Sequence, residues 1–228
     1  MKTALNRYWR SVNTVLLFFI AFIGQAQTVG ISSGLNYGRF YDLRQNEGHF
    51  YKEYQAQFGY SLGLEVKGIP LDTILKVDVA LNYQNYGGQF LTRDGGLGGT
   101  TSTQGEITKQ LIGIEVYPFH LNINPHFRWN LGISYSRLVH YKLSGTQSWW
   151  YGNGSTLSSG FSDLNDIVHF VKPNNWGLIS SLGYEFTIGK IKIEPSYSYF
   201  FGVSQEFNSL QASTSSMRHN VTISIRLN

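Results

Sequence analysis

Phe58-Gly59-Tyr60-Ser61-Leu62-Gly63-Leu64-Glu65-Val66 decides how the chain folds. Large apolar side chains take every even position, and Gly, Ser, Gly and Glu take the odd ones. A period of two is that of a β-strand with two unlike faces, because successive side chains leave a strand on opposite sides. The same alternation recurs along the chain. Val29, Ile31, Leu35 and Tyr37 oppose Gly30, Ser32, Gly34 and Asn36, and Leu75, Val77, Val79, Leu81 and Tyr83 oppose Lys76, Asp78, Ala80, Asn82 and Gln84. Ile112, Ile114 and Val116 oppose Leu111, Gly113 and Glu115, and Phe127, Trp129, Leu131, Ile133 and Tyr135 oppose Arg128, Asn130, Gly132 and Ser134. Three further segments around 176–186, 191–199 and 221–227 complete the series. This predicts eight strands of roughly ten residues, the length that crosses a bilayer when tilted.

The connections alternate in length. Long links are expected at about 41–54, 87–106, 141–174 and 202–217, and short turns at about 67–72, 118–125 and 187–190, where Gly68, Pro70, Pro118, Pro125 and Gly189 stand. Long loops at one end and tight turns at the other are the layout of an outer-membrane barrel. The expected fold class is therefore all-β: an eight-stranded antiparallel up-and-down transmembrane β-barrel, preceded by a cleaved signal peptide. A soluble barrel of lipocalin type would put the apolar face inside. The polar faces argue for the reverse: they are made of Gly, Ser and Asn, which suit a narrow interior better than a solvated exterior. Aromatic residues also end the apolar faces at two levels, as at the two membrane interfaces. Tyr37, Tyr83, Tyr135, Tyr197 and Tyr199 stand toward the long links; Phe58, Phe127, Trp129 and Phe186 are assigned to the other end.

Composition agrees. Of 228 residues 14% are charged, against about 25% in an ordinary soluble domain. Aromatics make up 15%, which excludes disorder, and the absence of cysteine excludes a disulfide scaffold or thiolate metal site. Lys2, Arg7 and Arg10 face no acid in the first 26 residues, and the rest of the chain is close to neutral. No basic surface points to nucleic acid. Those first residues have a basic start, an apolar run at 15–23 and Gly24-Gln25-Ala26, the layout of a secretory signal with cleavage after Ala26. The expected division is a signal peptide at 1–26 and a barrel at 27–228, located in a bacterial outer membrane.

The charges on the polar faces gather beside the short turns: Glu65, Lys76 and Asp78 at the first, Glu115 and Arg128 at the second, Glu185, Lys192 and Glu194 at the third, with Arg226 at the end of the last strand. An eight-stranded barrel is just wide enough to be filled by side chains, so these nine are expected to form a salt-bridged lumen network without an open channel. In the third long link Trp149, Trp150, Tyr151 and Phe161, with Phe170, stand among small polar residues and form a candidate contact surface. None of the six histidines has metal-ligand spacing. His140 or His219 with a loop serine is the only constellation that resembles a hydrolytic site. Gly95-Gly96-Leu97-Gly98-Gly99-Thr100 lacks the lysine and helix of a phosphate loop and reads as a loop tip. No cofactor is expected.

Several stretches resemble the outer-membrane β-barrel family of Bacteroidetes often called PorT-like. They are Val29-Gly30-Ile31-Ser32-Ser33-Gly34-Leu35-Asn36, the second-strand run quoted above, Ala80-Leu81-Asn82-Tyr83-Gln84-Asn85-Tyr86-Gly87, and Gly177-Leu178-Ile179-Ser180-Ser181-Leu182-Gly183-Tyr184-Glu185 with Pro195-Ser196-Tyr197-Ser198-Tyr199. The expected function is that of a non-enzymatic envelope barrel acting as a structural or interaction module, to which the resemblance adds an implied link to type IX protein secretion. Its partners would be outer-membrane lipid and envelope or secretion proteins reached through the long extracellular loops. A small pore and an outer-leaflet lipid-modifying enzyme are the alternatives.

Overall fold

A computed structural model describes residues 28–42, 50–72, 75–96, 98–153, 156–163, 171–207 and 214–227. The signal-peptide reading and Phe170 lie outside the described residues. Ten strands follow one another: β1 (Thr28–Asp42), β2 (Phe50–Pro70), β3 (Lys76–Gly96), β4 (Gly99–Asn122), β5 (Phe127–Asn153), β6 (Thr156–Asp163), β7 (Asn174–Tyr184), β8 (Phe186–Ile188), β9 (Ile191–Gly202) and β10 (Thr214–Leu227). β1 to β5 pair in chain order, the lower half of β5 pairs β7, and β7 and β8 both pair β9. β9 pairs β10, and β10 returns to β1 from Gly30↔Arg226 to Asp42↔Thr214. The sheet is thus a closed antiparallel barrel of eight positions, because β7 and β8 share one position broken at Glu185 and β6 lies beyond the barrel against the upper half of β5. Closure leaves no sheet edge around the barrel wall.

The alternation read from sequence becomes outside and inside. Leu35 is 65% exposed, Ile133 57% and Val221 62%, whereas Asn36, Ser61, Asn82, Ser134, Asn220 and Ser224 are buried. Apolar residues face out and polar residues face in, the polarity of a membrane barrel. The short-turn rim is closed by tight connections. Gly189, at φ 63°, opens the turn between β8 and β9, a conformation that costs other residues a steric clash. Gly68, at φ 72°, sits in a bulge of β2 and aims its N–H at Asp78 Oδ1, 2.8 Å away.

Three expectations are corrected. First, the links at 87–106 and 141–174 are mostly strand. β3 and β4 pair continuously up to Gly96↔Gly99, and β5 runs to Asn153 with β6 beside it. Hydroxyl- and amide-rich sequence such as Thr100-Thr101-Ser102-Thr103-Gln104 carries no apolar alternation, yet its backbone still completes the ladder. Second, Phe58 belongs to the long-hairpin level. β2 descends from that rim, and the Phe58 ring stands 4.9 Å from that of Tyr37. Third, Val79 faces outward but is buried in a cluster with Val66, Ile69 and Val77.

Candidate functional site

The lumen holds the densest chemistry in the molecule. At the short-turn end Arg226 lies across Gly30, where a Cβ would sit 2.2 Å from its Cγ. Its guanidinium reaches Glu185 at 2.5 Å, Glu194 at 2.6 Å and Glu65 at 4.0 Å. Lys67 bridges Glu194 at 2.9 Å and Glu65 at 3.4 Å, and Lys192 holds Glu185 at 3.1 Å. Arg128 pairs Asp78 at 3.2 Å. The glycine-rich polar faces thus leave room for long charged side chains to lie across the barrel. Glu115 is further in, where it accepts bonds from the Tyr117 hydroxyl at 2.8 Å and Gln84 Nε2 at 3.4 Å.

Eight of the nine charges named from sequence are therefore inward-facing. Lys76 is not: it stands exposed at the turn opposite Pro70. Lys67 occupies the interior position instead, because β2 continues past Val66 and keeps its odd residues inward. Sequence reading placed 67–72 in the turn and so missed it.

The other end of the lumen was not anticipated. The segment after β9 folds into the barrel mouth, where Val171 and Phe207 form an isolated bridge. Phe207 packs against Phe40 and Phe90, with ring centroids 5.2 and 5.6 Å apart, within a cluster that includes Tyr86, Ile107, Leu111 and Leu143. Beside it the buried carboxylate of Glu206 accepts bonds from Lys109 Nζ at 2.5 Å, Tyr86 Oη at 2.9 Å, Asn175 Nδ2 at 2.5 Å and Ser216 Oγ at 2.5 Å. Burial disfavours the charged form of Glu206, but Lys109, Ser216 and Arg218 outweigh it and hold the carboxyl below its ordinary range. Lys109 also lies 4.7 Å from the centroid of Phe207, and Arg218 lies 3.9 Å over Phe200 while donating to Gln84. Ile107, Lys109 and Leu111 share one face of β4, so extending the period-two count would have found Lys109. Glu206 lies outside any strand, and no sequence signal marks it.

Counting both ends, the described inward charges balance: Glu65, Asp78, Glu115, Glu185, Glu194 and Glu206 against Lys67, Lys109, Arg128, Lys192, Arg218 and Arg226. Between the two ends lies a polar cavity of about 70 Å³, lined by Ser61, Asn82, Glu115 and Asn220 among others. Ser61 Oγ and Asn220 Oδ1 find no protein partner there, and the space suits only a few water molecules.

The residues named for a contact surface lie on strands. Trp149, Trp150 and Tyr151 are on β5; Trp150 and Tyr151 are exposed, while Trp149 is half-buried against Gly160. Phe161 is on β6, opposite Ser148. The two histidines considered for a hydrolytic site are on the outside of the barrel. His140 is exposed on β5, and His219 Nδ1 lies 2.6 Å from the Tyr197 hydroxyl. No group of three or more potential metal ligands occurs among the described residues.

No protein-family model matches the chain, and no curated protein matches its sequence. Solved structures with a similar course of the backbone are outer-membrane proteins. Neisserial surface protein A is 10% identical with a TM-score of 0.42 over 87% of this chain and 96% of that one. OprG of Pseudomonas aeruginosa is 11% identical with a TM-score of 0.40, over 90% and 97%. Ail, the attachment invasion locus protein of Yersinia pestis, solved with a heparin analogue, is 11% identical with a TM-score of 0.38, over 88% and 98%. The barrel fold itself rests on the strand pairing above, independently of these likenesses.

Proposed function

We propose that the chain is a non-enzymatic outer-membrane barrel that holds a rigid contact wall outside the cell. The observation that carries this reading is the pairing of an apolar exterior with a lumen filled from both ends. Charged side chains pack its short-turn half, and Glu206 with the Phe207 cluster fills its mouth. Such an interior serves rigidity better than passage. A lipid-facing exterior also explains why so many large apolar side chains stand exposed in a chain with few charges. β3, β4 and β5 rise far above the aromatic level marked by Tyr37, Tyr60, Tyr135 and Trp176. From Arg137 to Asn153 the strand runs for roughly 50 Å at about 3.3 Å per residue. This wall carries Trp150 and Tyr151 exposed on β5, with Tyr51 exposed on the neighbouring β2, and hydroxyl-rich rows between them. Exposed aromatics on a rigid support fit partner contact.

The resemblance to PorT-like barrels supplies the finer reading, a place beside a type IX secretion assembly. Photo-crosslinking from position 150 in whole cells tests both levels. Adducts to envelope proteins support a contact wall, and adducts to secretion components support the finer reading. Absence of any protein adduct, with the barrel recovered as a lone monomer, overturns the interaction role. Steady conductance of the purified barrel in planar bilayers would instead favour a pore.

A further inference from the structure

Two residues of β5 point outward only because of a bulge. Ser134 and Ser136 are buried in the lumen, so Ile133, Tyr135 and Arg137 face out. Continued without interruption, that parity would send His140 and Lys142 inward. The register instead steps from Leu111↔Leu138 to Gln110↔His140, so β5 carries one extra residue at Val139. Above the step Leu143 is buried against Ile107 in the mouth cluster, and His140 and Lys142 join Arg137 on the exterior, all three exposed. Bulges re-aim side chains in this way and are features of a fold rather than defects.

The height of these three residues matters. Directly below Arg137, Tyr135 pairs with Trp176, and both are exposed at the level of the aromatic ring around the barrel. Below them Ile133 and Leu178 continue an exposed apolar track down the wall. The order from below is therefore apolar, aromatic, cationic, on one lipid-facing side. The nearest exterior acid on β4, Glu106, stands one row above Lys142, opposite Ser144, and accepts a bond from Gln57 at 2.7 Å. Elsewhere on this rim Arg39 is a single cation bonded to Met217 Sδ.

We propose that Arg137, His140 and Lys142 bind the phosphate of a lipid in the outer leaflet, a phosphorylated glycolipid of the lipid A type, whose acyl chains run down the Ile133 and Leu178 track. This rests on the membrane reading above. Cationic side chains at a bilayer interface attract anionic headgroups, and guanidinium and ammonium groups bond phosphate oxygens directly.

The test uses the full-length mature barrel reconstituted in phosphatidylcholine vesicles, with insertion first scored by resistance of the folded band to unfolding on unheated gels. Native mass spectrometry then measures retention of bisphosphorylated lipid A. The wild type should retain one molecule, and a variant with Arg137→Gln, His140→Gln and Lys142→Gln should retain it at least tenfold less. Arg39→Gln should retain it as the wild type does. A charge-keeping variant with Arg137→Lys and Lys142→Arg should also retain it, which separates lost charge from misfolding. Dephosphorylated lipid A should not be retained, and 10 mM inorganic phosphate should not displace the lipid, since a free anion lacks the acyl chains. Equal retention by the wild type and the triple variant, or equal retention of the dephosphorylated lipid, overturns the site while leaving the barrel reading intact. Failure to insert at all overturns both.

Discussion

Replacing Glu206 by glutamine removes a charge from the mouth of the barrel and leaves its shape. Glu206 and Lys109 are 2% and 1% exposed, with Nζ and Oε2 2.5 Å apart. Neither can reach bulk water once its partner is neutral, so each single change leaves an uncompensated buried charge. Breaking such a pair costs about 3–5 kcal/mol. Glu206→Gln should approach that cost, because the amide must also replace an acceptor shared by Tyr86, Asn175 and Ser216. Lys109→Met should cost a similar amount, because the carboxylate then loses its only cation in direct contact among the described residues. The double variant leaves no charge to strand. It should therefore be more stable than the sum of the singles predicts, with a coupling of about 2 kcal/mol or more. Urea unfolding in lipid vesicles, followed by tryptophan fluorescence and extrapolated linearly, measures all four corners of the cycle. Additive costs would refute the claim that the pair anchors the mouth as a unit.

Acid should act through the same group. Glu206 has a folded-state pKa held below its ordinary value near 4.5. Its contribution is thus present above that value and is lost as pH falls through the folded one. The wild type should lose stability below about pH 4.5 more steeply than Glu206→Gln; parallel pH profiles would contradict this. On the exterior, Ile223→Arg, midway along β10 between His219 and Leu227, should cost roughly 2–4 kcal/mol in lipid, measured by the same unfolding assay. Val79→Arg would not test lipid exposure, because that position is packed. At the short-turn rim Arg226→Met should cost about 3–5 kcal/mol, whereas Lys76→Met should stay within about 0.5 kcal/mol, a contrast that thermal unfolding on gels would show.

Alternation alone was enough to separate the faces of the barrel strands along their apolar lower parts, because the side-chain period of a strand is fixed by backbone geometry. Val29 to Tyr37 and Ile191 to Tyr199 needed nothing else. The small residues of the polar faces likewise announced a crowded interior, and Glu65, Asp78, Glu185, Glu194 and Arg226 were placed in it by parity. Where a strand stops could not be read the same way. Stretches 100–105 of β4 and 144–148 of β5 carry hydroxyls, amides and glycine on both faces, so they show no periodic signal even though their backbones pair. Parity also fails wherever a bulge adds a residue, as at Val139, since one extra residue turns everything beyond it to the other face. The partners inside the lumen were settled only by the tertiary fold. Arg226 meets Glu185 and Glu194, and Lys109 meets Glu206, across 32 to 97 positions of chain. Barrel closure sets those distances, and pairing order and register are properties of the whole sheet rather than of any one segment.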